Sequence, residues 1–181
     1  MIPMSVFADP SFWGLILGLP LSAVIALLTV YFQNQSRDKL VARNTRRFVS
    51  ATVENTIASC ELLLGERTRS GTFYFDLANF VRDEISVYLR QREHVYVVGD
   101  KNLEREVDSY FRKLNMALSR AEAHQKQIYD LRDRSASGDN KVESSNTVQL
   151  VNNAEKALED NCNDIRMLVA VGRNIVTNIK V

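Results

Sequence analysis

No proline follows Pro20. The three in the chain are Pro3, Pro10 and Pro20, so nothing downstream removes a backbone donor or forces a kink, and long helices are allowed. Cysteine is nearly absent, with only Cys60 and Cys162. No CxxC spacing exists to hold zinc or run thiol exchange, and the pair reads as two small apolar core residues kept as thiols in a reducing compartment. Histidine is as scarce: His94 and His124 supply neither a metal set nor an HExxH. GxxxxGK[ST] and GxSxG are also missing, so no phosphate loop or hydrolase frame can be read. These gaps lead us to expect a protein that is not an enzyme and uses no cofactor or metal. A net charge of +1 argues against a nucleic-acid binder with a strongly basic body, though not against local basic patches.

What is abundant is apolar sequence at one end. Phe12 to Phe32, reading FWGLILGLPLSAVIALLTVYF, carries no charged residue. At about 1.5 Å per residue it matches the roughly 30 Å hydrocarbon core of a bilayer, so the segment is expected to be a transmembrane helix with Trp13 and Tyr31 at its two interfaces. No Lys or Arg precedes it, unlike the basic start of a cleaved secretory signal, so the span is expected to be retained. Orientation follows from the flanks. Residues 1–11 hold one charge, Asp9, whereas the other side holds Arg37, Lys39, Arg43, Arg46 and Arg47 against Asp38. The basic side belongs in the cytoplasm, which places the short N-terminal tail outside the cell or inner membrane and the rest of the chain within. Anionic lipid would attract the same five side chains at about 1 kcal/mol each.

Within the span, Gly14, Gly18, Ser22 and Ala26 recur every four residues. Such a ladder lets helix backbones approach closely in lipid and would drive self-association, although Gly and Ala are also simply frequent in membrane helices. Pro20 sits inside the ladder and deprives the Ile16 carbonyl of its usual partner, so a kink is expected there.

The remaining residues, about 145, make one ordinary domain. Past Gln33 no helix breaker intervenes before Gly65, so the membrane helix is expected to continue as a stalk into a first cytoplasmic helix over 33–64, with Phe48, Ala51 or Thr52, Ile57, Cys60 and Leu64 at roughly helical spacing. GERTRSGT, 65–72, reads as a loop. A second helix is expected over 72–92, with the stripe Phe73, Leu77, Phe80, Val81, Ile85, Tyr88 and Leu89 burying aromatic bulk. HVYVV, 94–98, reads as an extended connector. Asp100 is a plausible N-cap for a third helix over 100–134, whose stripe from Leu103 to Leu131 is nearly heptad and places His124 on the seam, as a packed residue rather than a ligand. RSASGDNKVESSN, 134–146, reads as a loop. A fourth helix over 147–179 carries an apolar stripe from Val148 to Ile179, including Cys162 or Asn161 and Gly172. The expected fold class is all-α: one N-terminal transmembrane helix and an up-down-up-down cytoplasmic bundle of about four helices.

One cluster suggests a ligand. Arg67 and Arg69, followed by Ser70, Gly71 and Thr72, stand just before an expected helix N-terminus, where free N–H groups and the positive dipole end attract phosphate. The alternative is an ordinary loop with solvated arginines, because Glu66 and Asp76 are close enough to neutralise them. The layout of short outer tail, WGLILG-type span, basic stalk and small helical body resembles small single-pass membrane effectors of bacterial antiviral signalling, among them type III CRISPR accessory proteins that sense a cyclic oligoadenylate. The likeness is architectural. It implies a symmetric homo-oligomer that binds a cyclic oligonucleotide in the cytoplasm and disturbs the membrane on activation. A second expectation from the same layout is a membrane-tethered scaffold that docks a cytoplasmic protein partner through an exposed helix face.

Overall fold

The structure is a computed structural model that describes residues 21–95, 101–137 and 141–180. Four helices make up nearly all of this: α1 (Leu21–Ser70), α2 (Phe75–Val95), α3 (Lys101–Ser137) and α4 (Lys141–Lys180). The fold class is all-α. The chain divides into two compact units, residues 1–44 and 45–181.

In the first unit the described part of α1 shows apolar side chains on every face. Ile25, Leu27, Leu28, Val30, Tyr31 and Phe32 are all exposed, and because a helix turns 100° per residue these positions point in all directions. Thr29 returns its hydroxyl to the Ile25 carbonyl at 2.8 Å, which satisfies its one polar group without water. Among the described residues no helix is long and apolar enough to cross a membrane. The expected span is divided by that limit, since 12–20, with Trp13, Gly14, Gly18 and Pro20, lie outside the described residues.

The second unit is the bundle. Its core comes from one stripe on each helix: Val53, Ile57, Cys60 and Leu64 on α1; Val81, Ile85 and Tyr88 on α2; Tyr110, Leu114, Leu118 and Ile128 on α3; Leu158, Ile165, Val169 and Ile175 on α4. Burying one such aliphatic side chain contributes about 1.5–3 kcal/mol, which is why the stripes rather than helix propensity hold the unit together. Cross-helix contacts give the directions. Tyr110 meets Gly172 near one end of the α3–α4 pair and Arg132 meets Glu155 at 2.7 Å near the other, so these helices run antiparallel. Arg82 with Glu122 and Tyr88 with Asp108 make α2 antiparallel to α3. Ile57 beside Gly172, together with Arg67 beside Cys162, does the same for α1 and α4. The result is an up-down-up-down bundle.

Several boundaries differ from expectation. Gly65 does not end α1, which continues to Ser70. A single exposed glycine costs a helix only about 1 kcal/mol, and Leu63 and Leu64 just before it are buried, so packing carries the helix through. The stop is Gly71, whose φ of 73° suits a residue without Cβ and whose N–H donates to the Arg67 carbonyl at 2.9 Å, a left-handed C-cap. α2 begins at Phe75, not Thr72, and runs through His94 and Val95, so the start of the supposed extended connector is helical, while 96–98 and the proposed cap Asp100 lie outside the described residues. The loop expected at 134–146 is largely helix as well. α3 extends to Ser137 and α4 starts at Lys141, because Ser, Asn and Asp each cost a helix only some tenths of a kcal/mol and no proline stands among them.

Candidate functional site

The hinge of the bundle is the turn from α1 to α2. After the Gly71 cap, the Thr72 N–H donates to Ser70 Oγ at 3.1 Å, and Ser70 Oγ donates to the Glu66 carbonyl at 2.8 Å. Phe73 is buried, and its amide would be stranded but for Gln125 of α3, whose Oε1 accepts it at 3.0 Å. Gln125 holds the buried seam position on α3, and His124 beside it is half-buried. The seam thus falls one residue later than the heptad count from Ala117 indicates.

This geometry changes the meaning of the arginine cluster. Arg67 and Arg69 lie in the last turn of α1, not in a loop before a helix N-terminus. At that end the free backbone groups are carbonyls and the dipole is negative, which favours cations and disfavours phosphate. Arg69 is exposed and paired with Glu66 at 2.7 Å. Arg67 is half-buried beside the buried Cys162, whose thiol its charge draws downward, and its Nε is buried without a partner. Gly71 lies alongside, and a Cβ there would stand 3.8 Å from Arg67 Nη1. Ser70, Gly71 and Thr72 build the turn. The two guanidinium groups therefore have separate tasks: one closes the α1–α4 interface and the other pairs along the helix surface.

The remaining sites expected from sequence are spread along α1. Arg37, Lys39 and Arg43 in the first unit, and Arg46 and Arg47 at the start of the second, are all exposed, with no ion pair for any of them among the described residues. Ala26 is exposed, and Ser22 lies within the helix.

Burial explains the chemistry of the two thiols. Desolvation, reinforced by the neighbouring Glu61 charge, pushes Cys60 up to about 12. Desolvation and Glu159 also raise Cys162, against the opposing pull of Arg67 and Arg166. Neither is a reactive thiolate at neutral pH. Tyr110, beside Cys60, is likewise raised by burial and by that thiol, and its hydroxyl has no hydrogen-bond partner. Among the described residues no group of His, Cys, Asp and Glu could hold a metal ion.

Among the described residues, two open grooves stand out on the bundle. One, of about 420 Å³ between α1 and α4, runs past Glu54, Ile57, Ala58 and Val176 and is crossed by the Arg173–Glu61 ion pair. The other, about 290 Å³ between α1 and α2, is lined by Ser59, Leu62, Leu77, Phe80, Asp83 and Glu84. It was missed by periodicity. Phe80 and Leu89 belong to the stripe read as buried on α2, yet both are exposed, Phe80 by 62%. The signal was present in the adjacent pairs Phe80–Val81 and Tyr88–Leu89, since an apolar arc that wide exceeds one core-facing stripe.

Compared with known protein families, curated proteins and solved structures, the chain matches none.

Proposed function

We propose that the chain is a membrane-tethered interaction protein, anchored by residues 12–32 with its helical bundle in the cytoplasm, where an exposed helix face docks another protein. The observation that carries this reading is the all-round apolar exposure of α1 over Ile25 to Phe32. In water such a surface would cost about 25 cal/mol for each Å² left wet, and lipid removes that cost. The exposed, unpaired basic residues from Arg37 to Arg47 fit the cytoplasmic headgroup layer. Copies of the span would associate along the Gly14, Gly18, Ser22 and Ala26 ladder, making the protein a homo-oligomer in the bilayer.

Flotation tests the tether. Mixed with liposomes in 1 M NaCl (about 3 Å of screening length, which removes purely electrostatic binding), the full chain should rise with the lipid, and Leu27→Lys with Leu28→Lys should leave it at the bottom. A parent chain that salt strips from the vesicles would end this reading.

The second reading, an antiviral effector that senses a cyclic oligonucleotide, follows from the architectural resemblance and depends on Arg67 and Arg69. Its support is weaker. Both residues sit at the negative end of α1; Arg69 is already paired with Glu66, and Arg67 is half-buried beside Cys162. What remains in its favour is the unpartnered Nε of Arg67.

A further inference from the structure

We propose that the groove between α1 and α2 is the docking site for a basic amphipathic helix of another protein, which inserts apolar side chains between Leu62 and Phe80 and sets cations against Asp83 and Glu84. This deepens the tethered-interaction reading and rests on it for the cellular setting.

Three features of the groove carry the inference. Its walls are apolar and open: Leu62 is 54% exposed on α1 and Phe80 62% on α2, and half-buried Leu77 forms the floor between them. On α2 the exposed side chains Asp76, Phe80, Asp83 and Val87 follow one another at spacings of three and four, so they form a continuous face of a kind that receives a partner helix at its i, i+3, i+4 and i+7 positions. The rim has one sign. Asp83 and Glu84 have no ion pair among the described residues, and no Lys or Arg lines the groove. The cations nearest along the two helices face other helices, Arg67 beside Cys162 of α4 and Arg82 paired with Glu122 of α3 at 2.5 Å.

That charge pattern selects the occupant. An anionic lipid surface would be repelled by Asp76, Asp83 and Glu84, which removes the bilayer as the cover for Phe80. A second copy presenting the same face would set like carboxylates against each other across an apolar seam, an arrangement that disfavours pairing. A helix bearing Leu or Phe on one stripe and Lys or Arg on its flanks satisfies both walls and rim. The cations would raise the association rate and make it depend on salt, and the apolar anchors would set the residence time.

The test uses the full chain in zwitterionic nanodiscs and two fluorescent helical peptides that share a Leu stripe, one flanked by Lys and its twin by Glu. The Lys peptide should bind, more weakly as salt rises, and the Glu twin should not. Leu62→Ala with Phe80→Ala should weaken binding at least tenfold without moving the melting temperature, because both side chains are already exposed. Asp83→Lys with Glu84→Lys should transfer preference to the Glu twin. Equal binding of the two peptides, or binding indifferent to the Phe80 change, would overturn the assignment. So would self-association of the parent that the Leu62 and Phe80 substitutions abolish, because the occupant would then be a second copy. Flotation of the same samples reports the tether separately: a chain that binds the Lys peptide but does not float keeps the groove and refutes the anchor.

Discussion

Gly172 of α4 lies against the phenol tip of Tyr110 of α3: a Cβ at position 172 would stand 2.9 Å from Tyr110 Oη, 3.0 Å from Cζ and 3.1 Å from Ile57 Cδ1. Three helices meet at a point where only a hydrogen fits. Alanine would raise helix propensity by about 1 kcal/mol, but Tyr110 is fully buried and has nowhere to swing, so overpacking by about 1–3 kcal/mol should win. Gly172→Ala is therefore expected to lower the melting temperature. Adding Tyr110→Phe should restore part of the loss, because it removes the nearest atom and a hydroxyl that has no partner. A double-mutant cycle by thermal or urea unfolding checks this, and strict additivity of the two changes would show that the contact is not the cause.

Gln125 should matter more than its surface-like chemistry implies. It is buried and is the acceptor for the Phe73 amide, so Gln125→Leu leaves that N–H dry at a cost of about 1–3 kcal/mol. Urea unfolding gives the number. Hydrogen exchange gives the location, with the α1–α2 turn expected to lose protection before the α3–α4 pair.

Alkali should destabilise the bundle through its buried acids. Cys60 is raised from the ordinary 9.0 to about 12, and Cys162 and Tyr110 also shift upward. A raised pKa means that the folded state binds more protons than the unfolded one, so stability is complete below about pH 8.5 and declines as pH rises toward 12. Unfolding midpoints measured from pH 7 to 11 should fall above pH 9. Reaction of both thiols with a disulfide reagent should follow unfolding at neutral pH, and rapid labelling of the native chain would contradict the buried placement.

Arg67 and Arg69 should separate on substitution. Arg69 is largely exposed, and Arg69→Ala is expected to change stability by no more than about 0.5 kcal/mol. Arg67→Ala removes a half-buried stem packed beside Cys162, so it should cost more, about 1 kcal/mol or above. Differential scanning fluorimetry separates the two. Run with cyclic and linear oligoadenylates it also bears on the sensor reading, because a rise in melting temperature that vanishes in the double variant would restore a ligand role to this pair.

The bundle could be read from periodicity because its stripes are long and uninterrupted by proline. Leu114, Leu118 and Ile128 on α3 and Leu158, Ile165 and Ile175 on α4 were placed inward from spacing alone, and they are buried. Boundaries were harder. Gly65 resembles a stop until the buried Leu63 and Leu64 are seen to hold the helix through it, and the true stop at Gly71 depends on a positive φ that composition does not reveal. The arginine cluster was misread for the same reason: a displacement of the helix end by a few residues turned a presumed N-terminus into a C-terminus and reversed the sign of the dipole. For the α1–α2 groove the over-wide apolar arc of α2 shows that a side chain such as Phe80 must face outward, but not what it faces, since Leu62 and Phe80 become neighbours only when the two helices fold back on each other.

The central claim is that residues 12–32 cross a membrane and leave the bundle on the cytoplasmic side. Protease added to sealed inverted inner-membrane vesicles carrying the full chain, with an epitope after Val181, tests it most directly. The account predicts loss of the epitope together with survival of a short fragment containing Phe12 to Phe32, and disappearance of that fragment when detergent opens the vesicles. Complete digestion without detergent would show that the segment does not insert, and protection of the epitope would show that the bundle lies on the opposite side.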